Sequence, residues 1–147
     1  MYLIGTKNAT TQTVLTDGLI NIGNVYRKYC KRLSNGAKLF DNNSNSITVN
    51  GQGIYHITVT LVGSGTAAGD VTVQLLENET AIDGALSTQT ITTADTEIRT
   101  FVIDYYMLVD SACLLGCSST VAKTISLENT GVGATFTSVI VNVDKEV

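Results

Sequence analysis

Few side chains in this chain could do acid–base or nucleophilic chemistry, and they are scattered. The sequence holds one histidine, His56. A Ser-His-Asp or Cys-His arrangement would have to be built on it, and no Gly-x-Ser-x-Gly elbow is present to supply the nucleophile. His56 sits in an alternating apolar run, on the side opposite Tyr55, so a surface or interface strand residue is the simpler reading. Glu77 and Glu79 are the close pair of glutamates. Paired carboxylates are what glycoside hydrolysis needs, yet these two fall in a polar stretch that reads as a solvated turn. Asp104 lies mid-strand among apolar residues and reads as a buried, hydrogen-bonded structural acid, at a subunit contact for example. DNNSNS (41–46) offers oxygens suited to calcium, but with one charged ligand it reads as a hydrated loop. Cys30, Cys113 and Cys117 are too few for a disulfide scaffold. Two thiols four apart with no histidine nearby make a poor zinc site, so buried free thiols are expected. GSGTAAG (63–69) has the glycines of a phosphate loop but not its Lys-Ser/Thr ending, and it reads as a hairpin turn. Tyr26, Arg27, Lys28, Tyr29, Lys31 and Arg32 combine base with aromatic, as a nucleic-acid surface would, but no RNA-binding motif accompanies them. No catalytic residue, metal or cofactor is expected, and neither nucleic acid nor membrane is an expected partner.

The elements that would position these groups are strands. In GQGIYHITVTLVG (51–63), Tyr55, Ile57, Val59 and Leu61 share one face and His56, Thr58 and Thr60 the other, the period of a half-buried strand. Ile47 and Val49 alternate upstream; Val71, Val73 and Leu75 alternate downstream. ENETAIDG (77–84) reads as a turn with Asp83 and Gly84 at its tip, and LSTQTITT (86–93) as a short edge strand. In EIRTFVIDYYMLV (97–109), Phe101, Ile103, Tyr105, Met107 and Val109 lie on one face. Ile98, Val102, Tyr106 and Leu108 lie on the other, so this strand is expected to be covered on both sides, by a second layer or a neighbouring subunit. VAKTISLEN (121–129) and FTSVIVNVD (136–144) follow, with Asn129, Thr130 and Gly131 turning between them. Earlier, residues 11–29 hold two strands broken at Asp17 and Gly18, and residues 32–46 read as a loop with a turn at Asn35 and Gly36. Eight or so strands separated by turns predict an all-β sandwich or jelly roll.

Composition agrees. The chain has 147 residues, 44% hydrophobic and 15% charged, with no proline or tryptophan. That suits one domain with a full core and excludes disorder. No apolar run is long enough for a membrane span, and MYLIGTKNAT lacks the pattern of a secretory leader. Residues 1–50 hold six basic and two acidic side chains, a balance of +4; residues 51–147 hold three basic and eleven acidic, a balance of −8. Such asymmetry fits a basic end that meets an acidic partner, or a solvated patch.

The order of features resembles the tumour-necrosis-factor-like, complement-head-like jelly roll of phage head-fibre and decoration proteins. The matching stretches are TTQTVLTDGLINIGNVYRK (10–28), SITVNGQGIYHITVTLVGSGTAAGDVTVQLLENETAIDGA (46–85) and SLENTGVGATFTSVIVNVDK (126–145). Within them stand a Gly-x-Tyr step at Gly53, Ile54 and Tyr55, and a Leu-x-Asn-x-Gly step at Leu127, Asn129 and Gly131. No collagen-like repeat and no long shaft accompany them.

The resemblance implies a homotrimer of jelly rolls with about 8–10 antiparallel strands each. It implies a non-enzymatic virion structural protein, made in the host cytoplasm and carried on the phage particle as a head fibre or capsid decoration. The alternatives are a receptor- or glycan-binding tip of a tail fibre and a surface-polysaccharide hydrolase. On this reading residues 11–147 form the domain and residues 1–10 a short attachment segment. Val102, Tyr106 and Leu108 are the expected trimer contacts. Met1, Tyr2, Leu3 and Ile4, with Arg27, Lys28, Lys31 and Arg32, are expected to face the major capsid protein or another virion protein.

Overall fold

The computed structural model describes residues 2–34, 36–110 and 122–147. Cys113, Cys117, Met1 and Asn35, all named above, and Val121, the first residue of the 121–129 stretch, lie outside the described residues. Within them the chain forms twelve strands and no helix: β1 (Tyr2–Asn8), β2 (Gln12–Val14), β3 (Gly18–Leu19), β4 (Asn24–Tyr29), β5 (Phe40–Asn42), β6 (Ser46–Val49), β7 (Gly53–Gly65), β8 (Gly69–Glu77), β9 (Thr80–Ile91), β10 (Arg99–Val109), β11 (Lys123–Asn129) and β12 (Ala134–Lys145). They build two antiparallel sheets. The first runs β10-β7-β12-β1-β4, with β2 beside β12; the second runs β5-β6-β11-β8-β9, with β3 beside β11.

The core lies between the sheets and follows the period-two pattern. Tyr55, Ile57, Val59 and Leu61 of β7 are fully buried, as are Phe101 and Met107 of β10 and Val143 of β12. Within the first sheet, Phe101 meets Phe136 edge-on at 5.9 Å between ring centroids, and across the layers Phe40 meets Tyr55 at 6.0 Å. Edge-to-face packing adds to the burial of each ring. The Tyr55 hydroxyl donates to the Gly51 carbonyl at 2.6 Å, and burial pushes its pKa up to about 12. Gly53, two residues earlier, has φ +150°, and a Cβ there would stand 2.3 Å from the Val147 carbonyl oxygen. The Gly-x-Tyr step therefore has a steric cause at its first position and a packing cause at its third.

Asn129 accounts for the second step. Its side chain is fully buried. The amide donates to the Val14 carbonyl at 3.1 Å and the Val132 carbonyl at 2.8 Å, and its oxygen accepts from the Gly131 N–H at 3.2 Å. It thus closes the turn into β12 and ties it to the end of β2. Asn129→Ala would orphan these buried backbone groups, at about 2–4 kcal/mol in total. The expected result is a lower urea midpoint at unchanged slope.

Two expectations are corrected here. Residues 1–10 are not a segment outside the domain: residues 2–8 are β1, paired with β12 on one side and β4 on the other. Asp83 and Gly84 do not end a strand either. The β8–β9 turn is at Asn78 and Glu79, both with positive φ (50° and 66°), as tight hairpins require. Residues 82–85 form a bulge within β9 opposite Leu75. The buried Gln74 amide reaches into the bulge and donates to the carbonyls of Ile82 at 2.8 Å and Ala85 at 3.2 Å.

Candidate interaction face

The β10-β7-β12-β1-β4 sheet turns one face to the core, and among the described residues nothing covers the other. Pairing places its outward residues in rows. Tyr106 of β10 stands opposite His56 of β7, which stands opposite Asp144 of β12, followed by Leu3 of β1 and Tyr29 of β4. The neighbouring rows carry Asp104, Thr58 and Asn142, then Val102, Thr60 and Ile140.

Large apolar groups stand in solvent on this face. Val102 is 55% exposed, Tyr106 59% and Leu108 56%. Ile54 and Tyr26 are exposed as well. The doubly apolar strand at 97–109 is thus covered on one side in the protomer and bare on the other, at the sheet edge. Exposed singly, such residues are ordinary; here they are grouped on one sheet face.

Charge is segregated across the same face. The half made by β10, β7 and β12 carries Asp104, Asp144 and, just past β12, Glu146. The half made by β1 and β4 carries Lys7 and Arg27. Asp104 is not buried, as its sequence neighbours suggested, but 61% exposed, and its carboxylate bonds His56 Nε2 at 2.6 Å. His56 is held flat against Tyr106, with ring centroids 4.5 Å apart and planes 7° apart. Its other nitrogen, Nδ1, lies 4.0 Å from the Glu146 carboxylate. An acid–imidazole–acid arrangement lacks the hydroxyl or thiol that a nucleophilic triad needs on the second nitrogen.

Of the described residues expected at an attachment surface, Tyr2 and Lys31 are in contact and the others make separate contacts. Tyr2 stacks on Tyr29 at 6.1 Å, and the Lys31 ammonium lies 5.4 Å from the Tyr2 ring centre. Arg27 lies over Tyr26, and Arg32 donates to the Gly36 carbonyl at 3.0 Å. Lys28 donates to the Phe40 carbonyl at 2.9 Å, at the mouth of the core. Leu3 is half-buried on the outward face. Ile4 is fully buried in the core and presents nothing to a partner. The face also required a residue that the sequence reading passed over, Gly5. A Cβ there would stand 2.6 Å from Asn142 Oδ1 and 2.8 Å from the Tyr26 ring. Its absence lets Tyr26, the bulged residue of β4, lie across β1 and donate to Asn142 at 2.7 Å.

The remaining candidates sit elsewhere. Glu77 pairs with Lys123 at 3.1 Å. Glu79 lines an open groove of about 480 Å³ on the second sheet, with Glu128, Asn43, Ser44, Asn45 and Ser126. The 41–46 stretch forms part of that groove, but the Asn43 side-chain oxygen is taken by the Asn45 N–H at 2.8 Å. Residues 63–69 do not form the expected hairpin turn: they carry the chain from the end of β7 in the first sheet to the start of β8 in the second, and these two strands do not pair. Cys30 is a free thiol, partly buried.

No protein-family model and no curated protein matches the chain. Solved structures do. The globular domain of zebrafish complement 1qA protein is 6% identical, with 100% of this chain and 98% of that one covered and a TM-score of 0.62. Murine APRIL is 5% identical, with 98% of each chain covered and a TM-score of 0.66. The PRD1 vertex protein P5, a phage protein, is 13% identical, with 98% of this chain and 96% of that one covered and a TM-score of 0.54. The fold is a jelly-roll sandwich of the tumour-necrosis-factor and complement-head kind.

Proposed function

We propose that this chain is a non-enzymatic structural protein of a bacteriophage particle, a homotrimer carried on the capsid surface as a head fibre or decoration. The observation that carries the reading is the uncovered sheet face. It joins exposed Val102, Tyr106 and Leu108 to an acidic half and a basic half. Such a face is self-complementary when the acidic half of one copy meets the basic half of the next. That is a head-to-tail contact, which closes into a ring when the rotation allows. Support for the particle comes from the phage-type sequence steps and from the fold shared with a phage vertex protein.

Attachment to the major capsid protein falls on this reading to Lys31, Arg32 and Lys38, which lie past the end of β4, Arg32 and Lys38 paired in a β-bridge. A basic end of this kind aids encounter with an acidic surface and weakens with salt. A second reading, a glycan-binding tail-fibre tip, draws on the groove at Glu79 and Glu128, whose amides and hydroxyls suit sugars. Two measurements test the first reading. Sedimentation should give about three times 15.6 kDa, and labelled antibody should decorate heads of intact particles. A monomer, or label confined to tail tips, rejects it.

A further inference from the structure

Resting on the reading that copies dock through this face, we propose that His56 makes the docking pH-responsive, tighter when its imidazole is protonated. His56 is the sole histidine, and its side chain is 24% exposed in the protomer. The charged groups that face it are carboxylates from both neighbouring strands. Asp104 of β10 lies 2.6 Å from Nε2. On the β12 side Asp144 is its register partner, and Glu146 lies 4.0 Å from Nδ1. Lys145 turns the other way, donating to the Val147 carbonyl at 2.7 Å beside the Tyr55 ring. Tyr106, the remaining titratable neighbour, stacks on the imidazole and stands 59% exposed beside it. A partner that covers Tyr106 therefore also covers the cluster.

Neutral imidazole has one N–H; imidazolium has two. Here each ring nitrogen faces a carboxylate, so the protonated form can serve both. In the free protomer water also solvates Asp104 and Glu146, which are 61% and 47% exposed. The basic half of the next copy brings two cations, Lys7 and Arg27, to three carboxylates, Asp104, Asp144 and Glu146; once water is excluded the third carboxylate depends on the imidazolium, because a buried unpaired charge is costly. The docked state thus binds the His56 proton more tightly than the free state. Linkage gives the sign: the added affinity is present at low pH and is lost as pH rises through the titration of His56 in the docked state. Uptake of one proton per copy limits the gain to about tenfold per copy per pH unit.

The experiment compares the wild type with His56→Gln and Asp104→Asn between about pH 8 and about pH 6, above the range where carboxylates titrate. The readout is the dilution midpoint of the trimer. Where dilution does not separate the copies, it is the rate of subunit exchange between light and heavy labelled protein. The wild-type midpoint or exchange rate should fall at least tenfold on acidification. Gln at position 56 should abolish the response, and Asn at position 104 should reduce it. A wild-type trimer with no pH response, or a response that survives in His56→Gln, overturns the proposal and leaves the docking face standing. A monomer at both pH values removes the docking reading itself.

Discussion

Val102→Asp should yield a folded monomer. Val102 is 55% exposed in the protomer, so the new carboxylate stays in water as long as the face is bare. Its register partner is Thr60, and Asp104 lies two residues along on the same side, so docking would bury a second acid beside an existing one. Leaving a charge unpaired in a buried contact costs about 3–5 kcal/mol, once for each copy. Sedimentation should move from the trimer mass to 15.6 kDa, while the circular dichroism and the thermal midpoint of the separated protomer stay those of a folded sheet protein. Leu86→Asp is the control. Leu86 is 45% exposed, but it stands on β9 of the other sheet, so its replacement should leave the trimer whole. A Val102→Asp protein that remains trimeric, or a Leu86→Asp protein that also dissociates, places the contact on another face.

The strands that pair one solvent face with one core face were legible in the sequence. β7 and β12 alternate cleanly because one side of each lies against the opposite sheet. β10 showed apolar residues on both sides, and the structure resolves that into a core face and an uncovered face. β1 was missed because two of its outward positions, Leu3 and Gly5, are not polar. Leu3 is half-buried beside Tyr29, and Gly5 is small to admit the Tyr26 ring, while inward Thr6 is fully buried. With a hydroxyl inside and a glycine outside, the period of two disappears. Asp83 and Gly84 misled for a related reason. Their preference for turned backbone is real, and Gly84 has φ +81°, but the chain spends it on a bulge inside β9.

The site was less legible than the fold, for a reason of register. His56 and Asp104 were each placed on a strand and each assigned a bland role. Their contact depends on β7 and β10 pairing Thr58 with Asp104 and His56 with Tyr106. A shift of one residue would send every one of these side chains to the opposite face. β8 and β9 intervene along the chain, so no local turn sets that register. The basic cluster was visible as composition. The Lys31 contact with Tyr2 and the stacking of Tyr2 on Tyr29 were not, because they need β1 and β4 side by side.

Removing residues 1–8 should unfold the protein, where a detachable tail would have left it intact. β1 sits between β12 and β4, and β4 has no other neighbour in its sheet. Deletion therefore frees β4 entirely, with Tyr26, Arg27 and Tyr29, and strips one edge of β12 from Val139 to Lys145. It also takes Ile4, fully buried, out of the core. Truncating one such isoleucine to alanine costs about 2–5 kcal/mol; the deletion adds two rows of ladder hydrogen bonds at about 1 kcal/mol each. Against a domain stability of about 5–15 kcal/mol, the sum consumes most or all of what holds the sheet together. The truncated protein should show no cooperative thermal transition, and Ile4→Ala alone should lower the urea midpoint with the slope unchanged. If the truncated protein instead melts cooperatively within a few degrees of the full chain, β1 is dispensable to the sandwich. The amino terminus would then be free to serve as an attachment arm.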